Sequence, residues 1–200
     1  MDDIESIRDP TRKETVFRIG RNLVNIQKVE HLLKSLVIIS RIEGSSPDSV
    51  KKFVTKRTAD MKRKPMGWVV EDFDKSVITT QPDEKTPKKI TEPCISTVFQ
   101  IIVPDDDNYQ VWRKSLKNLV RERNFLVHQL IKDFDHTSQD SCVSLSKKLD
   151  EQNEIIKNAY KMLEAIFLTY HETMREFKEF VDSEVFLQQL QEALNETPNS

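Results

Sequence analysis

The sequence predicts an all-α helical bundle of three long helices and one or two short ones, with a small β-hairpin in an insertion between core helices. Three observations carry that expectation. Apolar residues recur at alternating three- and four-residue steps over three long stretches, the period of a helix with one buried face. The 200 residues hold three widely separated glycines, Gly20, Gly44 and Gly67, which leaves few tight turns. Charged residues make up 32% of the chain, enough to clothe the outer faces of such helices. A chain of this length buries a sizeable core and is read as a single domain, 1–200.

The first helix opens at Pro10-Thr11, where Thr11 and Glu14 have the Thr-x-x-Glu spacing of a capping box. Val16, Ile19, Leu23, Ile26, Leu33 and Val37 carry the alternation to about Ile42. One step, between Ile26 and Leu33, falls on Glu30, a carboxylate on the packing seam. It either pairs with a neighbouring lysine such as Lys34 or meets Arg123 from another helix. From Gly44 the composition changes, and 44–104 is read as an insertion. Pro47 to Lys64 reads as a short helix bearing Lys51, Lys52, Lys56, Arg57, Lys62, Arg63 and Lys64 against Asp48 and Asp60, and Pro65 stops it. Such a cluster is either a solvated face or a surface for nucleic-acid phosphates.

Trp68-Val69-Val70 and Val77-Ile78-Thr79-Thr80 are strand-like, Gln81 to Pro93 is a proline- and lysine-rich loop, and Ile95 to Val103 is a strand expected to pair with the Trp68 region. Pro104 and Asp105-Asp106-Asp107 start the central helix, whose stripe is Trp112, Leu116, Leu119, Val127, Leu130 and Phe134 and which ends near His136. The third long helix carries Val143, Leu145, Leu149, Ile156, Leu163, Ile166, Tyr170, Met174, Phe177 and Val181. A break at Asp182-Ser183 precedes a short helix with Val185, Phe186, Leu187 and Leu190, and the ending from Asn195 is expected to fray.

Composition excludes several classes. No Gly-rich phosphate loop exists, and a net charge of -2 means that any polyanion site must be a local patch. Cys94 and Cys142 have no metal-ligand spacing and make no disulfide scaffold, which fits a reducing cytosol; no metal or cofactor is expected. Met1-Asp2-Asp3-Ile4-Glu5 is acidic and lacks the apolar core of a signal peptide, and Leu36-Val37-Ile38-Ile39 is too short to span a bilayer. A soluble cytoplasmic protein is expected. His31, His136 and His171 read as surface or packing residues, and Trp68 and Trp112 as core.

One polar group stands out. Arg123 falls on the apolar stripe of the central helix, where a leucine would be expected, and a guanidinium leaves water only to meet something anionic or strongly hydrogen-bonding. Asn124 and His128 are i,i+4 neighbours beside it. Histidine titrates near neutral pH and can carry a proton from one hydroxyl to another. Arginine is permanently charged, and its fork matches phosphate oxygens in pairs. An amide orients a hydroxyl or phosphate without titrating. That set suits metal-free RNA cleavage, in which the ribose 2′-hydroxyl attacks its own phosphate and no protein nucleophile is needed.

Arg123-Asn124-Phe125-Leu126-Val127-His128 resembles the Arg-x(4-6)-His signature of the HEPN superfamily, in the form where Asn follows the Arg. Arg-Asn-x-x-Val-His is especially similar to the HepT-type toxins of bacterial toxin-antitoxin pairs, and the same form occurs in RNA-cleaving domains of type VI CRISPR effectors and in abortive-infection proteins. The resemblance implies an all-helical bundle and a metal-independent endoribonuclease acting as a homodimer, in toxin or antiviral defence. It implies that His128 is the general base or acid, that Arg123 stabilises the transition-state phosphate and that Asn124 orients. Glu30 joins them by its seam position and by analogy with polar first-helix residues of the family. RNA would be the substrate, with an antitoxin or regulatory protein as a further partner. Two departures stand: Leu130 occupies the position where HepT-type toxins carry a tyrosine modified by the antitoxin, and the insertion is longer than a minimal HEPN domain needs. Two other readings of the trio are a catalytically silent protein that binds RNA or nucleotides, and a helical dimerisation or adapter protein in which the trio is a structural network.

Overall fold

The computed structural model describes residues 10–81, 95–130, 134–135, 138–186 and 188. It is mostly helical. In order come α1 (Pro10–Ile39), β1 (Arg41–Gly44), α2 (Pro47–Arg63), α3 (Met66–Ser76), β2 (Ile78–Thr79), β3 (Ile95–Val98), β4 (Ile101–Ile102), α4 (Asp106–Asn124), a π-helical turn (Phe125–Gln129) and α5 (Gln139–Val181). The chain divides into two compact units, Met1–Leu163 and Glu164–Ser200. No helix among the described residues is long and apolar enough to cross a membrane.

The core of the first unit is a bundle of α1, α4 with its π-turn, and α5 up to Leu163. Contacts between α1 and α5 climb together, from Thr15 with Ser146 through Asn22 with Gln152 to Asn25 with Asn153, so these two helices run parallel. Contacts between α4 and α5 climb in opposite senses, Glu122 with Gln152 and Phe125 with Lys148, so α4 is antiparallel to both. The half of α1 nearer its C-terminus packs with Val29, Leu33 and Leu36, and α5 with Leu149, Ile156 and Leu163, all fully buried. Each such side chain contributes about 1.5–3 kcal/mol by leaving water.

The N-terminal half of the α1 seam is polar. Thr15 and Asn22 are fully buried where Val16, Ile19 and Leu23 were expected; Val16 is exposed and the other two are half-buried. Thr15 Oγ1 shares a hydrogen bond of 2.8 Å with Ser146 Oγ and reaches the Cys142 carbonyl. Asn22 Nδ2 donates to the Leu149 carbonyl at 2.7 Å and to Gln152 Oε1 at 3.0 Å. Gln152 Nε2 in turn donates to Glu122 Oε2 at 2.8 Å and to the Glu122 carbonyl. The pairing of amide with amide explains the shifted face: a polar side chain is buried where its partner is supplied by the neighbouring helix. At the rim, Arg18 and Arg21 both reach Asp150. The α5 stripe is offset in the same way, with Cys142 buried and Val143 and Phe177 exposed.

Several element boundaries differ from the sequence reading. α1 already includes Pro10, so Thr11 lies inside it rather than capping it, and Glu14 pairs with Arg18. α1 stops at Ile39, and residues up to Gly44 form β1 instead of ending the helix near Ile42. Trp68-Val69-Val70 is helical, not a strand. Met66, Val69, Val70 and Phe73 recur at helical spacing and are all buried, whereas Trp68 points outward, 65% exposed, against the expectation of core. The segment 95–103 pairs elsewhere than with Trp68. Its first half runs antiparallel to β1, Arg41 opposite Val98, and its second half pairs parallel with β2, Ile78 opposite Ile101. The expected hairpin is thus two short two-stranded pairs.

Other insertion features match. Ser46 caps α2 by accepting from the Ser49 amide, Ser49 Oγ accepts in return, and Pro47 occupies the first turn. Gly44 is required before it, because a Cβ there would meet the Val50 side chain at 2.5 Å and its amide nitrogen at 2.7 Å. Tyr109 Oη and Arg113 Nε of α4 both reach the Asp74 carboxylate of α3, which ties the insertion to the central helix. In the second unit α5 ends at Val181, Asp182 and Ser183 break the helix, and the Phe180 and Phe186 rings meet edge to face at 5.3 Å. Leu187, Leu190, the Asn195–Ser200 ending, His136, Cys94 and most of the Gln81–Pro93 loop lie outside the described residues.

Gln152→Ala is expected to lower unfolding free energy by about 1–3 kcal/mol, because it strips partners from buried Asn22 and Glu122. Urea denaturation checks this; an unchanged midpoint would mean that the ladder adds nothing.

Candidate functional site

The helical hydrogen bonding of the central helix changes register at the Arg-Asn-x-x-x-His segment. Asp105 caps α4 by accepting from the Asp107 amide, and Asp106 and Asp107 place negative charge in the first turn, as expected. After Asn124 the backbone widens into the π-turn, closed by the Leu130 amide donating to the Phe125 carbonyl five residues back. On a regular α-helix, residues five apart sit about 140° apart around the axis. The π-turn narrows that angle and brings the Arg123 and His128 side chains together.

Arg123 Nη1 donates to His128 Nε2 at 3.2 Å and to Asn124 Oδ1 at 3.3 Å. Arginine has no lone pair to offer, so Nε2 is the acceptor and the proton of the neutral ring sits on Nδ1. The guanidinium, rather than an Asn124–His128 pair, therefore joins the trio. Arg123 is half-buried at the edge of the stripe, while Asn124 and His128 face solvent. The π-turn also moves the stripe: Leu126 and Leu130 are buried and Val127, expected inside, is 38% exposed. Lys148 of α5 lies over the Phe125 ring, its Nζ 3.7 Å from the centroid, adding a cation beside the trio.

Glu30 is not part of this cluster. It pairs with Lys34 one turn along α1 at 2.8 Å, both half-buried, and among the described residues Arg123 finds its partners in Asn124 and His128 instead. The nearer acidic residue is Glu122, which sequence reading missed; its carboxylate is held by Gln152, turned toward the bundle. Nothing in the apolar period marks Glu122, since its role comes from an amide on another helix.

The basic run lies on α2. Lys51, Lys52, Lys56, Lys62 and Arg63 are exposed and make no ion pair among the described residues. Arg57 and Lys64 are engaged: Arg57 donates to the Arg41 carbonyl and to Ser40 Oγ, and Lys64 pairs with Asp72. Of the other histidines, His31 is exposed, and His171 in the second unit stacks edge-on against Phe167 and Tyr170. Trp112 is half-buried and Cys142 is buried as a free thiol. Among the described residues no three metal-ligating side chains converge.

No family model, curated protein or solved structure matches this chain. What the exposed trio offers is chemical. A neutral imidazole whose Nε2 lone pair accepts from Arg123 becomes a base when the guanidinium turns from it to a phosphate, and that guanidinium is a fork matched to phosphate oxygens.

In wild-type protein the neutral His128 ring is expected to be the Nδ1–H tautomer, and Arg123→Ala is expected to return it to a mixture. Long-range nitrogen–proton NMR of the ring reads this directly, and a wild-type Nε2–H tautomer would contradict the contact.

Proposed function

We propose that this chain is a metal-independent endoribonuclease of HEPN type that works as a homodimer, in a toxin or phage-defence role. The observation that supports the reading most is the 3.2 Å contact between Arg123 and His128 on an exposed π-turn. The guanidinium meets a neutral imidazole and a neutral amide rather than a carboxylate, which leaves its charge available to a phosphate.

In the proposed reaction His128 Nε2 takes the proton of a ribose 2′-hydroxyl, whose oxygen attacks the adjacent phosphorus. The bond to the 5′-oxygen breaks, leaving a 2′,3′-cyclic phosphate on one fragment and a 5′-hydroxyl on the other. Arg123 exchanges its neutral acceptors for the phosphoryl oxygens, which gain charge in the transition state. Asn124 orients that phosphate. The leaving oxygen needs a proton, and a second copy of the chain supplies a second imidazole; exposed Val127 beside His128 gives that contact an apolar element. The exposed lysines of α2 hold flanking RNA phosphates, so Lys51→Gln with Lys52→Gln should weaken RNA binding uniformly across sequences. An antitoxin or regulatory partner restrains the activity in the cell. Since Leu130 stands where HepT-type toxins carry a tyrosine, such restraint does not use modification at that position.

Labelled single-stranded RNA incubated with the protein in EDTA tests the proposal. His128→Ala and Arg123→Ala are each expected to slow cleavage by at least about 100-fold while the melting temperature stays within a few degrees of wild type. If His128→Ala cuts as fast as wild type, the proposal fails. If neither cuts and His128→Ala melts markedly lower, the trio is a structural network and the adapter reading takes its place.

A further inference from the structure

The outward side of α1 carries an apolar patch that the bundle does not use. Lys13, Phe17, Gly20, Val24, Lys28 and His31 recur at three- and four-residue steps and are all exposed, opposite the buried Thr15, Asn22, Ile26 and Val29. Phe17 is 64% and Val24 51% exposed, and exposed Val16 lies at their edge. One exposed apolar side chain is ordinary, but large ones gathered on a single helix face mark a contact surface.

Gly20 sits between Phe17 and Val24, one turn from each. Inside a long helix glycine is less favourable than alanine, so its presence calls for a reason. The fold supplies none: a Cβ at Gly20 would meet no atom within 4 Å, whereas one at Gly44 would strike Val50. The missing side chain leaves a notch between the two apolar residues, and small residues at a crossing point let a second helix approach closely.

The charges around the patch have one sign. Its neighbouring carboxylates, Glu14 and Asp150, are taken up by Arg18 and Arg21. Lys13 and Lys28 stand at its two ends, fifteen residues apart, which is about 22 Å along the axis. Both are exposed, and neither makes an ion pair among the described residues.

We infer that this face docks an acidic amphipathic helix of another protein. Small and apolar residues of that helix cover Phe17, the Gly20 notch and Val24, and its carboxylates meet Lys13 and Lys28. A second copy of this chain fits less well. Two copies crossing at Gly20 would set Lys13 of one against Lys13 or Lys28 of the other, like charges in either direction. A nucleic acid needs a continuous basic track, and here an apolar stretch separates the two cations. The inference does not depend on RNA cleavage and uses no residue of the Arg123 trio.

Fluorescence anisotropy of the full chain tests it with two labelled synthetic peptides, each locked as a helix by side-chain cross-links. Both carry alanine and leucine along one stripe; one has glutamates flanking it, the other lysines. Saturable binding of the glutamate peptide is expected, with the lysine peptide at least about tenfold weaker. Phe17→Ala and Gly20→Leu should each weaken the glutamate peptide by about tenfold or more. Gly20→Leu should do so without lowering the melting temperature, since leucine is the better helix former and the space is open. Lys13→Glu with Lys28→Glu should reverse the preference between the peptides. No binding of the glutamate peptide, equal binding of the two, or unchanged binding in Gly20→Leu would each overturn the inference. So would a wild-type dimer that Gly20→Leu dissociates in ultracentrifugation, which makes the face a self-contact, or RNA binding that Phe17→Ala abolishes, which makes it a nucleic-acid surface.

Discussion

The bundle depends on a chain of polar groups, two buried amides and a half-buried carboxylate. Asn22, Gln152 and Glu122 come from three different helices, and each satisfies a group that burial would otherwise leave unpaired. Apolar side chains tolerate small slides and rotations at modest cost, but a buried amide does not, because a lost partner leaves its desolvation unrecovered. The ladder therefore fixes the rotation of α1 against α5 and the height of α4 against both. Its last member is Glu122, the residue before Arg123, so the constraint that sets the bundle also sets where the polar trio emerges.

From that fixed point the π-turn determines the local chemistry. Inserting a wider turn after Asn124 reconciles two demands that a regular helix would oppose. Leu126 and Leu130 stay buried below, and Arg123 and His128, five residues apart, meet above. The guanidinium selects the ring tautomer, and the tautomer leaves Nε2 as the proton acceptor.

Much of the fold was legible in the sequence, for reasons that differ by element. The Asp105–Asp107 start of α4, the Pro47 helix and the three long amphipathic stretches carry local signals: caps, dipole-matched charge and period. The α1 face was misjudged because Thr15 and Asn22 look like surface residues until Ser146 and Gln152 are seen opposite. Trp68-Val69-Val70 was misjudged because three apolar residues in a row fit either period, and it is the buried Met66 and Phe73 that decide for a helix. The segment 95–103 divides between β1, more than fifty residues away in sequence, and the nearer β2, and no local pattern names either partner. At the site, the grouping of Arg123, Asn124 and His128 was legible as a motif. The π-turn that joins them, and the engagement of Glu30 with Lys34, were not, since each is a choice between geometries open to the same residues.

The central claim is that the Arg123–His128 contact serves attack by a 2′-hydroxyl, and the chemistry of the product ends tests it most directly. The measurement compares an RNA oligonucleotide with the same oligonucleotide carrying 2′-deoxyribose at the cut position, in EDTA, with the ends identified by mass spectrometry. The account predicts cleavage of the all-RNA strand to a 2′,3′-cyclic phosphate and a 5′-hydroxyl, and no cleavage of the substituted bond. Equal cutting of both strands, or products with 5′-phosphate and 3′-hydroxyl ends, would contradict it.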